Sequence, residues 1–168
     1  PESTGKTAMA EALAQALGTL WVPEFARYYT GHLGRPYEHN DLKTIGLGQK
    51  AWEEWYAGQL NRSSNPNVLI CDTDWTVLQI WEQYRFKVND NYHWQQGYGA
   101  AENADLYFLC APDFSWQPDP LREHPEERHT LFELYESLLR TCRANFITLS
   151  GTHETRLQTA LPAIRKFL

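Results

Sequence analysis

The first seven residues have the types and spacing of a phosphate-binding loop. Pro1-Glu2-Ser3-Thr4-Gly5-Lys6-Thr7 fits the pattern G-x-x-x-x-G-K-[ST] from its second position onward. In such a loop backbone N–H groups surround the phosphates of a nucleotide, a lysine binds the terminal phosphates and a hydroxyl binds Mg²⁺. We therefore expect ATP and Mg²⁺ as cofactors. The predicted nucleotide-binding residues are Glu2, Ser3, Thr4, Gly5, Lys6, Thr7 and Ala8, with Lys6 also catalytic and Thr7 also a metal ligand.

Two aspartates follow the most apolar run of the chain. Residues 68–71 read Val-Leu-Ile-Cys, which predicts a strand covered on both faces, and Asp72-Thr73-Asp74 comes directly after it. Open α/β sheets bind ligands at the carboxyl ends of their strands. Asp72 is therefore predicted to hold Mg²⁺ or to accept the proton of an attacking hydroxyl, and Asp74 to bind substrate. Either could instead cap the next helix.

A further group of residues is predicted to bind a phosphoryl acceptor. Glu24 and Arg27 follow a second predicted strand, and a carboxylate and a guanidinium on one turn can bind a ribose diol or activate a hydroxyl. Glu24 is thus a second candidate for the catalytic base. The alternative for both residues is a surface ion pair of little energetic value. Tyr28, Trp75 and Trp116 are candidates to stack on the ring of the acceptor.

Residues 111–128 are predicted to form a lid. The segment contains four prolines and many charges, and it is long for a connection within a compact domain. A mobile loop can bring arginines against the transferred phosphoryl group while it excludes water. Arg122 and Arg128 are the catalytic candidates here. The alternative is a solvated loop whose charges pair among themselves.

Alternating strand and helix patterns must position these residues, and they predict a single α/β domain of the phosphate-loop NTPase type. We expect a parallel sheet with helices on both faces. Its strands lie near residues 19–22, 68–71, 106–110 and 146–149, and a further strand before Pro1, in a longer natural chain, is expected between the second and third of these. Gly46 and Gly48 weaken the helix predicted over about 40–61, whereas Leu157, Leu161, Ile164 and Leu168 are the expected apolar stripe of the last helix.

Composition excludes several other classes of function. The 168 residues carry a formal net charge of −6 and no cluster of Lys and Arg, which argues against a nucleic-acid partner. No apolar run approaches the roughly 18 residues of a membrane span. Three widely spaced cysteines indicate neither a metal site nor a disulfide framework, so we expect buried thiols in a reducing compartment, the cytoplasm. The sequence leaves the oligomeric state open.

Four segments together make the chain similar to the ribosylnicotinamide kinase domain of the NadR type, within the phosphate-loop kinases. They are residues 1–7, residues 22–27, residues 71–84 and the insert 116–128. The resemblance implies that ATP, with Mg²⁺, phosphorylates the 5′-hydroxyl of nicotinamide riboside to give nicotinamide mononucleotide for NAD salvage. Where the family is expected to have Asp-Gly-Leu-Arg in the lid, this chain has Asp119-Pro120-Leu121-Arg122, which predicts a stiffer turn. A kinase for another nucleoside or small metabolite, or a non-catalytic ATP-binding module, remains the alternative.

Overall fold

The structure, a computed structural model, describes residues 1–60, 66–88, 104–117 and 126–168. Strands and helices alternate along these residues, so the predicted α/β class with parallel strands is confirmed. In chain order the elements are α1 (Lys6–Leu17), β1 (Leu20–Val22), α2 (Phe25–Leu33), α3 (His39–Leu60), β2 (Leu69–Cys71), α4 (Trp75–Arg85), β3 (Tyr107–Cys110), α5 (Arg128–Thr141), β4 (Phe146–Leu149) and α6 (His153–Ile164).

The described strands form two parallel pairs instead of the one sheet that the sequence predicted. Strand β1 pairs with β2 from Leu20 opposite Leu69 to Val22 opposite Cys71, and β3 pairs with β4 in the same sense. The predicted sheet also included a strand before Pro1, outside the residues given. The described chain divides into two compact units, and each contains one strand pair. The first unit comprises residues 1–13 and 100–168, and the second comprises residues 14–99.

The second unit is built around α3, which contacts α2, α4 and both strands of its pair. Two glycines of α3 make this close packing possible. A Cβ at Gly46 would lie 2.3 Å from the ring of Trp75, and a Cβ at Gly48 would lie 2.1 Å from the ring of Phe25. The sequence analysis counted these glycines against a helix. They are instead the positions where aromatic rings of α2 and α4 meet the backbone of α3.

We expect Gly46→Ala to destabilise the protein by about 1–3 kcal/mol, the usual cost of overpacking a filled core. The Trp75 ring that it would meet is itself buried, with 6% of its surface exposed. Gly58→Ala is the matched control in the same helix, because a Cβ at Gly58 meets no atom within 4 Å. There alanine should stabilise by up to about 1 kcal/mol through helix propensity. Urea unfolding followed by circular dichroism measures both changes, and equal effects at the two positions would contradict the packing described.

In the first unit α5 packs on β3 and α6 packs on β4. Helix α6 begins after Thr152, whose hydroxyl accepts a hydrogen bond from Thr155 N at 3.2 Å, and it ends at Ile164 with Pro162 in its last turn. Of the expected apolar stripe, Ile164 is buried, Leu157 and Leu161 are half-buried, and Leu168 is exposed beyond the end of the helix. The buried residues of α6 are Arg156, Ala160, Ala163 and Ile164. The most buried face therefore lies one position away from the predicted stripe and contains the side chain of Arg156, which has several hydrogen-bond acceptors.

All three cysteines are free thiols. Cys110 is buried, Cys142 is half-buried and Cys71 is exposed, so the expectation of three buried thiols holds for Cys110 alone. Strand β2 is not covered on both faces either, because Leu69 and Ile70 are only half-buried and Cys71 is exposed. Within the described ranges, helices fall short of the length and hydropathy that a membrane crossing requires.

Candidate functional site

The backbone of the phosphate loop has the conformation of an anion-binding turn. Ser3 and Gly5 both adopt left-handed conformations, with φ of 51° and 77°. Such residues in a tight turn bring successive N–H groups toward one point, which forms a nest for an anion. Gly5 is required on two grounds, because its φ is positive and because a Cβ there would lie 3.3 Å from the ring of Phe114. Helix α1 follows at once, with a hydrogen bond of 3.0 Å from Met9 N to the carbonyl of Gly5.

Side chains hold the carbonyl groups of the loop. The Pro1 carbonyl accepts from Thr4 Oγ1 at 3.0 Å and from Lys6 Nζ at 2.7 Å. Arg128 donates to the Ser3 carbonyl at 3.2 Å, and Arg156 donates to the Thr4 carbonyl at 2.7 Å. Donors on α5 and α6 therefore fix the loop, although both helices lie far from it in the sequence.

The other predicted nucleotide-binding residues surround the start of α1. Thr7 and Ala8 are exposed in its first turn, Lys6 and Glu2 are half-buried, and Thr4 is buried. The N-terminus of a helix carries a partial positive charge and favours a bound phosphate. A phosphate in the turn at residues 3–5 would thus meet backbone donors, the lysine and the helix dipole together.

The predicted lid lies partly outside the described residues. Arg122 falls there, so its assignment stays a prediction. Arg128 is the first residue of α5 and not part of a loop, and it is buried with 8% of its surface exposed. At the other end of the segment Trp116 is half-buried, and Gln117 N donates to Ser3 Oγ at 3.0 Å. The described start of the predicted lid is therefore bound to the phosphate loop.

In the second unit, two carboxylates follow neighbouring strand ends. Asp72 N donates to the carbonyl of Val22 at 3.0 Å, which extends the hydrogen bonds between β1 and β2 by one step. Asp72 is buried, with 9% of its surface exposed. Glu24 stands at the N-cap position of α2, two residues after Val22. Both carboxylates therefore belong to the same edge of this strand pair, as the sequence predicted.

Helix α2 was not anticipated from the sequence, and it carries Arg27 and Tyr28 on an exposed turn. Arg27 Nε lies 3.9 Å from Glu24 Oε2, a distance typical of a loose ion pair, and the Arg27 side chain is 48% exposed. Tyr28 is 53% exposed, and its ring lies 5.7 Å from that of Trp52 on α3. Of the predicted acceptor-binding aromatics, Tyr28 is the one with a large exposed face.

Asp74 and Trp75 have structural roles at the start of α4. Asp74 caps the helix, since its carboxylate accepts from Thr76 N at 3.0 Å and from the Thr76 hydroxyl. The alternative reading of this aspartate as a cap is thus confirmed, and substrate binding by it stays a prediction. Trp75 packs in the core of the second unit. Its burial argues against the predicted stacking of Trp75 on an acceptor ring.

Sequence reasoning missed Gln49, which is 2% exposed and connects three segments of the second unit. Its Oε1 accepts from Phe25 N at 2.9 Å, at the start of α2. Its Nε2 donates to Glu53 Oε1 at 3.1 Å and lies 3.4 Å from the Thr73 carbonyl. Gln49 therefore fixes both strand-end segments that carry the predicted acceptor-binding residues. The signal in the sequence was a glutamine that lies three residues after Gly46 in a segment rich in aromatic residues.

A pocket opens beside these segments of the second unit. It is small, with a cavity volume of about 10 Å³, which is room for about one water molecule. Its lining is mainly apolar and comes from α2, α3 and α4, namely Ala26, Ile45, Val77, Leu78 and Trp81, with Glu24, Gln49, Thr73 and Asp74 beside them. The opening marks where the two strand-end segments meet α3, and it is too small to hold a nucleoside as it stands.

Burial is the main reason why the pKa of Glu53 is raised to about 7; the hydrogen bond from Gln49 opposes the rise and the nearby Asp74 carboxylate adds to it. Between about pH 4.5 and pH 7 the folded protein therefore holds a proton that the unfolded chain, with a pKa near 4.5, has already released. Stability should fall as the pH rises from about 4.5 to about 7. We expect Glu53→Gln to raise the Tm at pH 8 more than at pH 5. Thermal unfolding across this range tests it, and an equal shift at both pH values would contradict it.

The two predicted metal ligands are each of a type that Mg²⁺ binds. Thr7 offers a hydroxyl in the first unit and Asp72 a carboxylate in the second, and Mg²⁺ takes one or two protein oxygens together with phosphates and waters. Their joint role stays a prediction. Among the residues with described positions, no group of three or more His, Cys, Asp and Glu side chains could hold a metal by itself.

A phosphate loop before a helix, with parallel strands flanked by helices, defines the class of phosphate-loop proteins. The chain belongs to the family described as AAA domain, which it matches over residues 1–156. It is also similar in structure to a NadR protein solved in complex with NAD and AMP-PNP, with a TM-score of 0.72 and 21% sequence identity. This likeness covers 98% of the present chain and 46% of that protein, so the chain spans less than half of its length. No curated protein sequence matches. The resemblance noted from the sequence is confirmed at the level of the fold.

Proposed function

We propose that this protein is an ATP-dependent kinase that phosphorylates the 5′-hydroxyl of nicotinamide riboside, giving nicotinamide mononucleotide for NAD salvage. The observation that carries the proposal is the phosphate loop, with left-handed Ser3 and Gly5 followed by Lys6 and Thr7 at the start of α1. Phosphoryl transfer depends mainly on positioning and on charge stabilisation. Backbone donors, a lysine and a helix N-terminus at one turn are suited to that task.

Each predicted residue has one role in the proposed chemistry. Lys6 stabilises the terminal phosphates of ATP, while Arg122 and Arg128 serve the transferred group. Glu24 and Arg27 bind the ribose, and Asp72 or Glu24 accepts the proton of the 5′-hydroxyl. Thr7 and Asp72 would hold Mg²⁺, which neutralises the charge that develops on the phosphates when it is bound.

Residues near the strand ends of the second unit are suited to a pyridinium acceptor. Glu24 and Asp74 supply negative charge there, and the exposed Tyr28 on α2 supplies an aromatic face to which a cationic ring is attracted. The NadR protein of similar fold was solved with NAD, which contains the same nicotinamide riboside group, and with AMP-PNP. These side chains, together with the ligands of a structural relative, favour nicotinamide riboside over a neutral nucleoside.

A coupled assay of ADP release across a nucleoside panel tests the proposal. The natural full-length protein is incubated with ATP, Mg²⁺ and either nicotinamide riboside, its reduced form or a neutral pyrimidine nucleoside. The reduced form is the matched control, because it has the same shape without the positive ring charge. We expect kcat/KM to be highest for nicotinamide riboside, at least about tenfold above the reduced form, the lower end of what one lost contact costs in substrate discrimination.

Two outcomes would overturn the proposal in different ways. A higher kcat/KM for another nucleoside would support the kinase activity but assign it a different substrate. ADP release that no acceptor increases, by a protein that still binds ATP, would indicate a non-catalytic ATP-binding module.

A further inference from the structure

The largest fully buried side chain among the described residues of the first unit is a charged one. Arg156 on α6 is 0% exposed, although an arginine is rarely buried without strong partners. No motif in the sequence contains it, and the proposed reaction does not use it. Because a buried guanidinium carries a large desolvation cost, its five N–H donors need acceptors close by.

Four acceptors from three segments of the first unit surround it. Arg156 Nη1 donates to the carbonyl of Thr4 in the phosphate loop at 2.7 Å. Nη2 donates to the carbonyl of Ala111, just after β3, at 2.8 Å, and Nε donates to the carbonyl of Gly151, in the turn before α6, at 3.1 Å. Nη2 also lies 3.3 Å from the carboxylate of Asp113, which is 36% exposed.

Two neighbours make this network rigid. The Asp113 carboxylate also accepts from Gly151 N at 2.6 Å, so it ties the turn before α6 to the segment after β3. The ring of Phe114 lies 4.4 Å from the Arg156 guanidinium carbon, within cation–π distance. The same ring lies against the position where Gly5 would carry a Cβ. Phe114 thus touches the loop on one side and the arginine on the other.

We propose that Arg156 is a positioning residue for nucleotide binding, which holds the phosphate loop in its anion-binding conformation from outside the loop motif. It fixes the Thr4 carbonyl away from the phosphates, so that residues 3–5 keep the left-handed turns that direct their N–H groups to an anion. The inference rests on the nucleotide-binding part of the proposed function and not on the acceptor or on catalysis.

A substitution of Arg156 should therefore weaken nucleotide binding even in protein that remains folded. We expect Arg156→Met to raise the Kd for MgADP by about tenfold to a hundredfold, the range found when residues that orient ligand-binding groups are removed. Arg156→Lys keeps the charge but cannot reach all four acceptors at once, and it should raise the Kd several-fold. Arg140→Met is the matched control, since this arginine on α5 has a side chain that is 67% exposed, pairs with Glu136 and lies 5.4 Å from the ring of Phe146, away from the phosphate loop.

The measurement is isothermal titration calorimetry with MgADP at a temperature where circular dichroism shows each variant to be folded. Phe114→Leu is the second probe, in case Arg156→Met does not fold. It removes the ring between arginine and loop and should raise the Kd by about tenfold, again the lower end of that range. A role confined to stability would lower the Tm of these variants and leave the Kd of the folded protein unchanged.

Each outcome decides the inference. Wild-type affinity in folded Arg156→Met, or in Phe114→Leu where the first variant is unfolded, would overturn it. A loss in Arg156→Met with wild-type affinity in Arg156→Lys would assign the effect to charge and overturn the positioning role. A wild-type protein that binds MgADP but phosphorylates no acceptor would overturn the proposed function alone. Absence of MgADP binding by the wild type would overturn both.

Discussion

Replacing Lys6 by alanine is expected to lower kcat by about a hundredfold or more, the usual cost of removing one group that stabilises charge in a transition state. In the structure Lys6 Nζ donates to the Pro1 carbonyl at 2.7 Å, at the edge of the turn that is predicted to receive phosphates. When ATP binds, Lys6 would exchange the Pro1 carbonyl for phosphate oxygens, and its flexible side chain needs only a short movement to do so. Because charge moves on the γ-phosphoryl group during transfer, the lysine contributes more to the transition state than to ATP binding.

Steady-state kinetics with both substrates varied, together with titration of MgATP, measures this effect. Lys43→Ala on the exposed face of α3 is the control, and it should leave kcat unchanged. The Kd for MgATP should rise less than kcat falls. A Lys6→Ala protein with wild-type kcat and a raised KM for ATP would show that the lysine only binds the nucleotide.

Local patterns in the sequence predicted those parts of the fold that depend on neighbouring residues. All four described strands lie within about two residues of the predicted segments, because short apolar runs bounded by polar residues have few other ways to be buried. The loop was recognisable for the same reason, since its chemistry lies in seven consecutive residues. Helix α2 was not predicted, and Ala26 is the one fully covered residue among its nine, so the helix has little apolar pattern to mark it.

Contacts between distant residues could not be predicted in this way. Arg156 lies 152 residues from Thr4, and no local pattern marks a helical arginine as buried. From the sequence, Gly46 and Gly48 could be judged only by their low helix propensity. In the structure they leave space for the rings of Trp75 and Phe25. In both cases contacts between residues distant in the sequence determine the role of the residue. These residues hold the phosphate loop or the strand ends in place.

The second large effect concerns the division of labour between Asp72 and Glu24. Asp72→Asn is expected to lower kcat by about a hundredfold or more, because its carboxylate is assigned to Mg²⁺ or to the proton of the acceptor. The substitution keeps the shape of the side chain and the hydrogen bond from the residue 72 N–H to Val22, so the fold should survive. Asp105→Asn at an exposed position before β3 is the control and should leave kcat unchanged.

Glu24→Gln separates the two carboxylates. If Glu24 only binds the ribose together with Arg27, its amide variant should raise the KM for the nucleoside and leave kcat and the KM for ATP nearly unchanged. Steady-state kinetics of both variants, with nucleoside and ATP varied, gives this comparison. Full activity in Asp72→Asn would remove Asp72 from the mechanism. A collapse of kcat in Glu24→Gln alone would assign the catalytic base to Glu24, which stands at the start of α2.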